Sequence, residues 1–204
     1  MIGILVAAVV GIVGIGFLAT SLGGGGDGDE SVAAPTVEIV GDAIAPMPEG
    51  LAITDASTDP SAGTVAPTFI GTDFDGGEVT IEPDGRAKAI YFLAHWCPHC
   101  QAEVPVVQAL IDDGQQPENL DIYAVSTAVD STRGNFPPEE WLSNESFTPT
   151  VLRDDADLTA YNSTGPAGFP FVLYLDADHQ VVGRSAGTLD AGQMQALWTA
   201  AASS

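Results

Sequence analysis

The sequence predicts an α/β fold, a central mixed sheet flanked by helices, on three observations. Residues 89–94 and 122–125 are short, uninterrupted apolar runs, the pattern of strands buried on both faces. Between them, from residue 97 to about 113, Val104, Val107, Ala109, Leu110 and Ile111 recur at helical spacing, so strand, helix and strand form a right-handed βαβ unit. Downstream, residues 171–176 and 180–184 flank the turn Asp176-Ala177-Asp178-His179 as a hairpin. An amphipathic helix over 191–202, through Met194, Leu197 and Trp198, closes the chain.

Ahead of that core, residues 1–22 are almost wholly apolar and carry no charged side chain. As a helix this run is about 30 Å long, enough to cross a bilayer core. It is read as a transmembrane anchor, the competing reading being a signal peptide cleaved near Ala19-Thr20-Ser21. No basic segment precedes the run, and it exceeds a usual signal core, which favours the anchor. No cysteine lies near residue 20 to carry a lipid. The first basic residue is Arg86, so charge bias does not set the orientation.

Residues 23–65 form a second region, a flexible linker and extended arm. It opens Gly-Gly-Gly-Gly-Asp-Gly-Asp-Glu and stays rich in Pro, Ala, Ser, Thr and Asp. Within it, 37–40 alternates as an edge strand and 47–60 is an arm lying on the domain. The domain proper is expected over 66–204. Residues 66–69 and 71–81 read as two short strands around a Gly-rich turn, and Pro83-Asp84-Gly85 is another turn. Pro105 sits inside the first helix, where it removes a backbone donor. Residues 130–150 are polar, with one short helix at 138–142. A further short helix spans 154–161, with Asp154 or Asp155 at its start.

Composition narrows the function. Hydrophobic residues make up 45% of the chain, enough for a packed core, and 5 Lys+Arg stand against 28 Asp+Glu, a net charge of -23. Such a surface repels phosphate backbones, so no nucleic-acid partner is expected. The acidity reads as a solubility adaptation or an acidic docking face.

Both cysteines lie in Trp96-Cys97-Pro98-His99-Cys100, where an apolar strand gives way to a helix. Two thiols at this spacing can close a disulfide within one helical turn, the pattern of a thiol–disulfide redox centre. Cys97 at the helix N-terminus faces unpaired N–H groups and the positive end of the helix dipole, which favour its thiolate, the nucleophilic form. His99 can add a donor or positive charge, making the disulfide more oxidising. Disulfides persist outside the cytoplasm, so the domain is expected there.

Trp96-Cys97-Pro98-His99-Cys100 after a strand, Pro105 in the helix and Phe169-Pro170 before a strand together resemble the thioredoxin superfamily. Ala66-Pro67-Thr68-Phe69 leading to Asp75-Gly76, with Cys100-x-x-Glu103-x-Pro105, is similar more specifically to the TlpA/ResA-like membrane-anchored thiol–disulfide oxidoreductases. The likeness covers roughly residues 66–202. It implies a thioredoxin-like fold in which Cys97 attacks disulfides, Cys100 resolves the mixed disulfide and Trp96 flanks the site. Pro98 and His99 tune the couple, and Pro170, after Phe169, is the cis-proline facing the sulfurs. It also implies client proteins with thiols or disulfides, a redox-recharging partner in the membrane and no cofactor.

One departure stands out. Tyr91 occupies the place of the buried aspartate of thioredoxin itself. That leaves Glu103, Glu139 and Glu140 as candidate proton acceptors for Cys100, each otherwise a solvated surface charge. His95 reads as incidental and His179 as a turn residue. The rival function is a Cu(I)-binding metallochaperone, since soft thiolates suit Cu(I), whereas zinc wants a second ligand pair that is absent. A docking module without redox chemistry is a third class. A peroxidase is disfavoured, because no Pro-x-x-x-Thr/Ser-x-x-Cys context surrounds either cysteine.

Overall fold

The structure, a computed structural model, describes residues 34–204. Twelve elements follow in order: β1 (Glu38–Val40), β2 (Thr68–Thr72), β3 (Glu78–Ile81), β4 (Ala87–Leu93), α1 (Pro98–Asp112), β5 (Leu120–Ser126), α2 (Pro138–Asn144), β6 (Thr150–Arg153), α3 (Thr159–Asn162), β7 (Phe171–Leu175), β8 (Val181–Ala186) and α4 (Ala191–Ala202). The strands form one mixed sheet in the order β1-β2-β6-β5-β4-β7-β8, with β3 paired to β2. β4, β5 and β6 run parallel, and β7 runs antiparallel to β4. The predicted α/β class, mixed sheet and closing hairpin–helix are all present.

β4 shows why the middle of the sheet is apolar on both faces. Tyr91 and Leu93 face one core, with Cys100, Val104, Val107 and Trp198. Ile90 and Phe92 face the other, with Phe69, Ile81, Leu173 and Ala160. Successive strand residues point to opposite sides, so a central strand between two layers is apolar on both, as β4 is from Ala89 to Leu93, while Lys88 near its start is buried in an ion pair with Asp84. α1 and α4 thus supply the first layer, and α3 and the chain before β2 help to supply the second.

The structure corrects the sequence reading in several places. β6 was not expected: Thr-Val-Leu-Arg is too short to show a period, and it becomes a strand because β5 offers a free edge. The helix expected over 154–161 is confined to α3, since Asp154 and Asp155 turn their carboxylates onto the backbone N–H groups of Ala160 and Thr159. The segment before residue 66 is more than an arm on the surface. Ile44 and Met47 enter the core, β1 pairs antiparallel with β2, and Ile53 bridges Ser185 on β8.

Arg184 anchors that segment. Its guanidinium grips Asp59 with two bonds of 2.8 and 2.6 Å and donates to the carbonyl of Ala45 at 2.7 Å. Thr54 Oγ1 adds a bond to Asp59 at 2.6 Å. Gly183 lets the arm approach, for a Cβ there would lie 2.4 Å from the carbonyl oxygen of Thr54. His179 sits in its turn with φ +62°, yet its ring is buried and Nε2 reaches the carbonyl of Pro67 at 3.3 Å. Among the described residues no helix is long and apolar enough to cross a membrane. The expected anchor, residues 1–22, lies outside them.

Candidate active site

β4 ends at Leu93, and the chain turns through Ala94, His95 and Trp96 into α1. The N–H of Cys97 donates to the carbonyl of Ala94 at 2.9 Å, and the Cys97 carbonyl accepts the N–H of Gln101 at 3.0 Å. Cys97 is therefore the N-cap, with extended φ -79° and ψ 119°, and Pro98 opens the helix. Proline suits that place because its missing N–H would have no intrahelical partner. The Cys97 sulfur stands at the helix end where negative charge is favoured. Cys100 is one turn further in, on the face turned to the sheet.

Both cysteines are free thiols. Cys97 keeps 6% of its surface and Cys100 none, so only Cys97 is open to a large partner. Its Sγ donates to the carbonyl of Phe169 at 3.8 Å, and the Phe169–Pro170 peptide bond is cis. Burial pushes the Cys100 thiol well up, and the neighbouring Cys97 sulfur and Glu103 carboxylate add to the effect.

Aromatic rings wall the sulfurs. Trp96 Nε1 donates to the carbonyl of Ala128 at 2.7 Å, and its ring meets Phe169 edge-on, with centroids 6.0 Å apart. Tyr161 stacks on the other side of that contact, 4.6 Å from Phe169, and its hydroxyl donates to the carbonyl of Gly168. The Arg133 guanidinium lies 3.8 Å over the Trp96 ring, a cation–π contact. Pro98 and His99 are exposed on the rim, where His99 Nδ1 meets Thr188 Oγ1 at 3.0 Å.

Beneath the sulfurs the expectation for Glu103 is overturned. Far from solvated, it is fully buried, and neither carboxylate oxygen has a hydrogen-bond partner. Residues 100, 103, 104 and 107 share one helical stripe, so the face that buries Cys100 carries Glu103 inward with it. Desolvation pushes its carboxyl up to about 8, against a weak opposing pull from the backbone of Leu189, whose N–H falls short of hydrogen-bond geometry. Tyr91 is buried beside it and accepts the indole N–H of Trp198 at 2.9 Å. Desolvation, then the neighbouring Tyr174 and Glu103, hold its phenol well above the ordinary range. Glu139 and Glu140 are exposed on α2.

His95 is a structural anchor. Its Nδ1 lies 2.8 Å from the carbonyl of Gly134, and its Nε2 accepts the N–H of Asp130, which leaves neither nitrogen for a metal. Among the described residues no group of three or more His, Cys, Asp or Glu is placed to hold an ion. Sequence reasoning missed Tyr161, Arg133 and Thr188. They reach the site from distant loops, and no local spacing marks them.

Known structures share this fold. A DsbF homologue from Corynebacterium diphtheriae superposes with a TM-score of 0.60 at 14% identity, over 77% of this chain and 98% of that one. A thiol:disulfide interchange protein of the thioredoxin family from Chlorobium tepidum gives 0.55 at 21%, over 68% and 96%. A secreted Mycobacterium tuberculosis disulfide oxidoreductase homologous to E. coli DsbE gives 0.53 at 18%, over 65% and 95%. At these identities the likeness establishes a thioredoxin-like fold. No curated protein sequence matches the chain. The model of one family matches residues 62–191, which take in every strand from β2 to β8 and both cysteines. The match spans well over half of the chain, and the chain belongs to the AhpC/TSA family.

Proposed function

We propose that this protein is a membrane-anchored, extracytoplasmic thiol–disulfide oxidoreductase that exchanges disulfides with client proteins through Cys97-Pro98-His99-Cys100. The observation that carries this reading is the placement of the two sulfurs. Cys97 caps α1 with its Sγ 3.8 Å from the carbonyl before Pro170, and Cys100 is buried one turn behind it.

In the reducing direction the Cys97 thiolate attacks one sulfur of a client disulfide. A Cys97–client disulfide forms, and the other client sulfur leaves as a thiolate. Cys100 loses its proton and attacks Cys97 Sγ, releasing the second client thiolate and closing the Cys97–Cys100 disulfide. The client has gained two electrons and the protein has lost them; the oxidising direction is the reverse. The carbonyl of Phe169 and the ring of Trp96 shape the approach, and Pro170, with Pro98 and His99 on the rim, completes the surface the client meets.

Burial opposes ionisation of Cys100, so its proton needs a local acceptor. Glu103, one turn along the same helix face and with a carboxyl that titrates near 8, is the group we assign to that transfer. It takes the proton when Cys100 attacks and returns it in the reverse direction, and its pKa near the working pH suits both.

Residues 1–22 serve as the anchor and the glycine-rich stretch after them as the tether. The secreted location of the Mycobacterium relative and the persistence of disulfides outside the cytoplasm support that placement. A redox-recharging partner in the membrane resets the couple.

Trapping tests the reading. Cys100→Ser should hold clients covalently on Cys97, and Cys97→Ser should hold none. Tight Cu(I) binding without any transfer to a test disulfide would replace the oxidoreductase with a metallochaperone.

A further inference from the structure

The loop 128–136 has two sides. On one it is tied to the cysteine motif: Ala128 accepts the Trp96 indole N–H, Asp130 donates to His95, and Gly134 meets the other ring nitrogen. On the other, Ala128, Val129 and Phe136 line an open cavity of about 570 Å³ together with Phe74, Pro137 and Leu158. That volume suits a large side chain or small ligand, and the wall is mainly apolar. Val129 and Phe136 remain 50% and 48% exposed, which leaves apolar side chains of the cavity wall reachable from solvent.

The mouth of this slot is acidic. Phe74 and Glu139 also line a neighbouring concavity with Asp75, Glu140, Ser143 and Asn144. An anionic ligand is disfavoured, because Glu139, Asp154 and Asp155 outnumber the single cation in the slot, Arg153. Nη1 of Arg153 is buried without a hydrogen-bond partner, a donor that a peptide carbonyl would satisfy without bringing a further negative charge among the carboxylates.

We infer that the paired concavities are a docking subsite for the client polypeptide. A large apolar side chain fills the slot, its backbone carbonyl accepts Arg153 Nη1, and an adjacent lysine or arginine lies on the shelf of Asp75, Glu139 and Glu140. The inference rests on the redox reading, since the occupant is that reaction's client. The net charge of -23 attracts basic segments to the protein, and the carboxylates of the shelf give such a segment a place to sit.

Binding separates the two ideas. The full chain carrying Cys97→Ser and Cys100→Ser is titrated with labelled, cysteine-free peptides that differ only at a central pair: Phe-Lys, Phe-Glu or Ser-Lys. Phe-Lys should bind about tenfold tighter than either of the others, and high salt should narrow its margin over Phe-Glu. Adding Glu139→Lys and Glu140→Lys should turn the preference to Phe-Glu, a gain that misfolding cannot mimic. Equal binding of the three peptides, or a Phe-Lys preference that survives the charge reversal, overturns the subsite. Turnover of the small neutral hydroxyethyl disulfide by the unsubstituted chain reads the cysteine chemistry alone. Turnover without peptide discrimination sinks the subsite and spares the oxidoreductase; Phe-Lys selectivity without turnover sinks the oxidoreductase and leaves a peptide site whose occupant is not a redox client.

Discussion

Asp59 and Glu103 are both buried carboxylates, and they are buried in opposite ways. Asp59 lies under the N-terminal arm with two bonds from Arg184, one from Thr54 and one from the backbone of Ser61. Burial opposes its charge, but those donors outweigh the cost and its carboxyl ends below the usual range. Glu103 lies under the cysteines with no partner, and burial alone pushes it up to about 8. A fully partnered buried charge fixes structure. An unpartnered one holds a proton loosely near neutral pH, which is what an exchange reaction needs.

The sharpest way to break this contrast is to take a partner from the first site. Arg184→Ala leaves Asp59 buried without its cation, held only by Thr54 and the backbone of Ser61, and should cost about 3–5 kcal/mol in urea unfolding. A loss under 1 kcal/mol would show that the clamp does not hold the arm.

Next in size is the second site. Glu103→Gln keeps the shape and removes the proton acceptor, and should slow release of the mixed disulfide by about 10²-fold at pH 7. Stopped-flow measurement of that step, with the initial attack by Cys97 monitored alongside, tests it. Equal slowing of both steps would point to a disturbed helix instead of a lost proton transfer.

The sign of the pH dependence sharpens the contrast further. Glu103 titrates higher folded than unfolded, so its ionisation adds no cost below the unfolded value of about 4.5. The cost grows as pH rises through about 8. Glu103→Gln should therefore be no more stable than the parent near pH 4, yet about 2 kcal/mol more stable at pH 8 after the amide's own burial cost. Asp59 runs the other way: its contribution is complete above the ordinary carboxylate range and is lost as pH falls below it. Thermal melts across that range decide between the two signs.

The smallest effect belongs to the wall. Trp96→Phe removes the bond to Ala128 and should cost about 1 kcal/mol. It should also loosen loop 128–136, read as faster amide exchange at Asp130. Unchanged exchange there would separate the loop from the motif.

Much of the fold was legible because buried strands and amphipathic helices write their periods into the chain: β4, β5, α1, the β7–β8 hairpin and α4 all fall where the pattern puts them. β6 was not, since four residues show no period and pairing with β5 decides their state. The cysteines were legible from spacing alone. Glu103 was half legible: its stripe with Cys100, Val104 and Val107 was in the sequence, but an acidic residue is usually solvated, and that expectation prevailed. Tyr161 and Arg133 were not legible, because they meet Trp96 and Phe169 only through the folded sheet.

The order of residues alone determined that two thiols stand at a strand-to-helix junction, since hydrophobic period and proline placement are local properties. Tertiary structure decided which carboxylates go underground and with what company. Burial sums surfaces from α1, β4, β7 and α4 at one point for Glu103, and from the arm and β8 at another for Asp59. No short stretch of chain contains that sum.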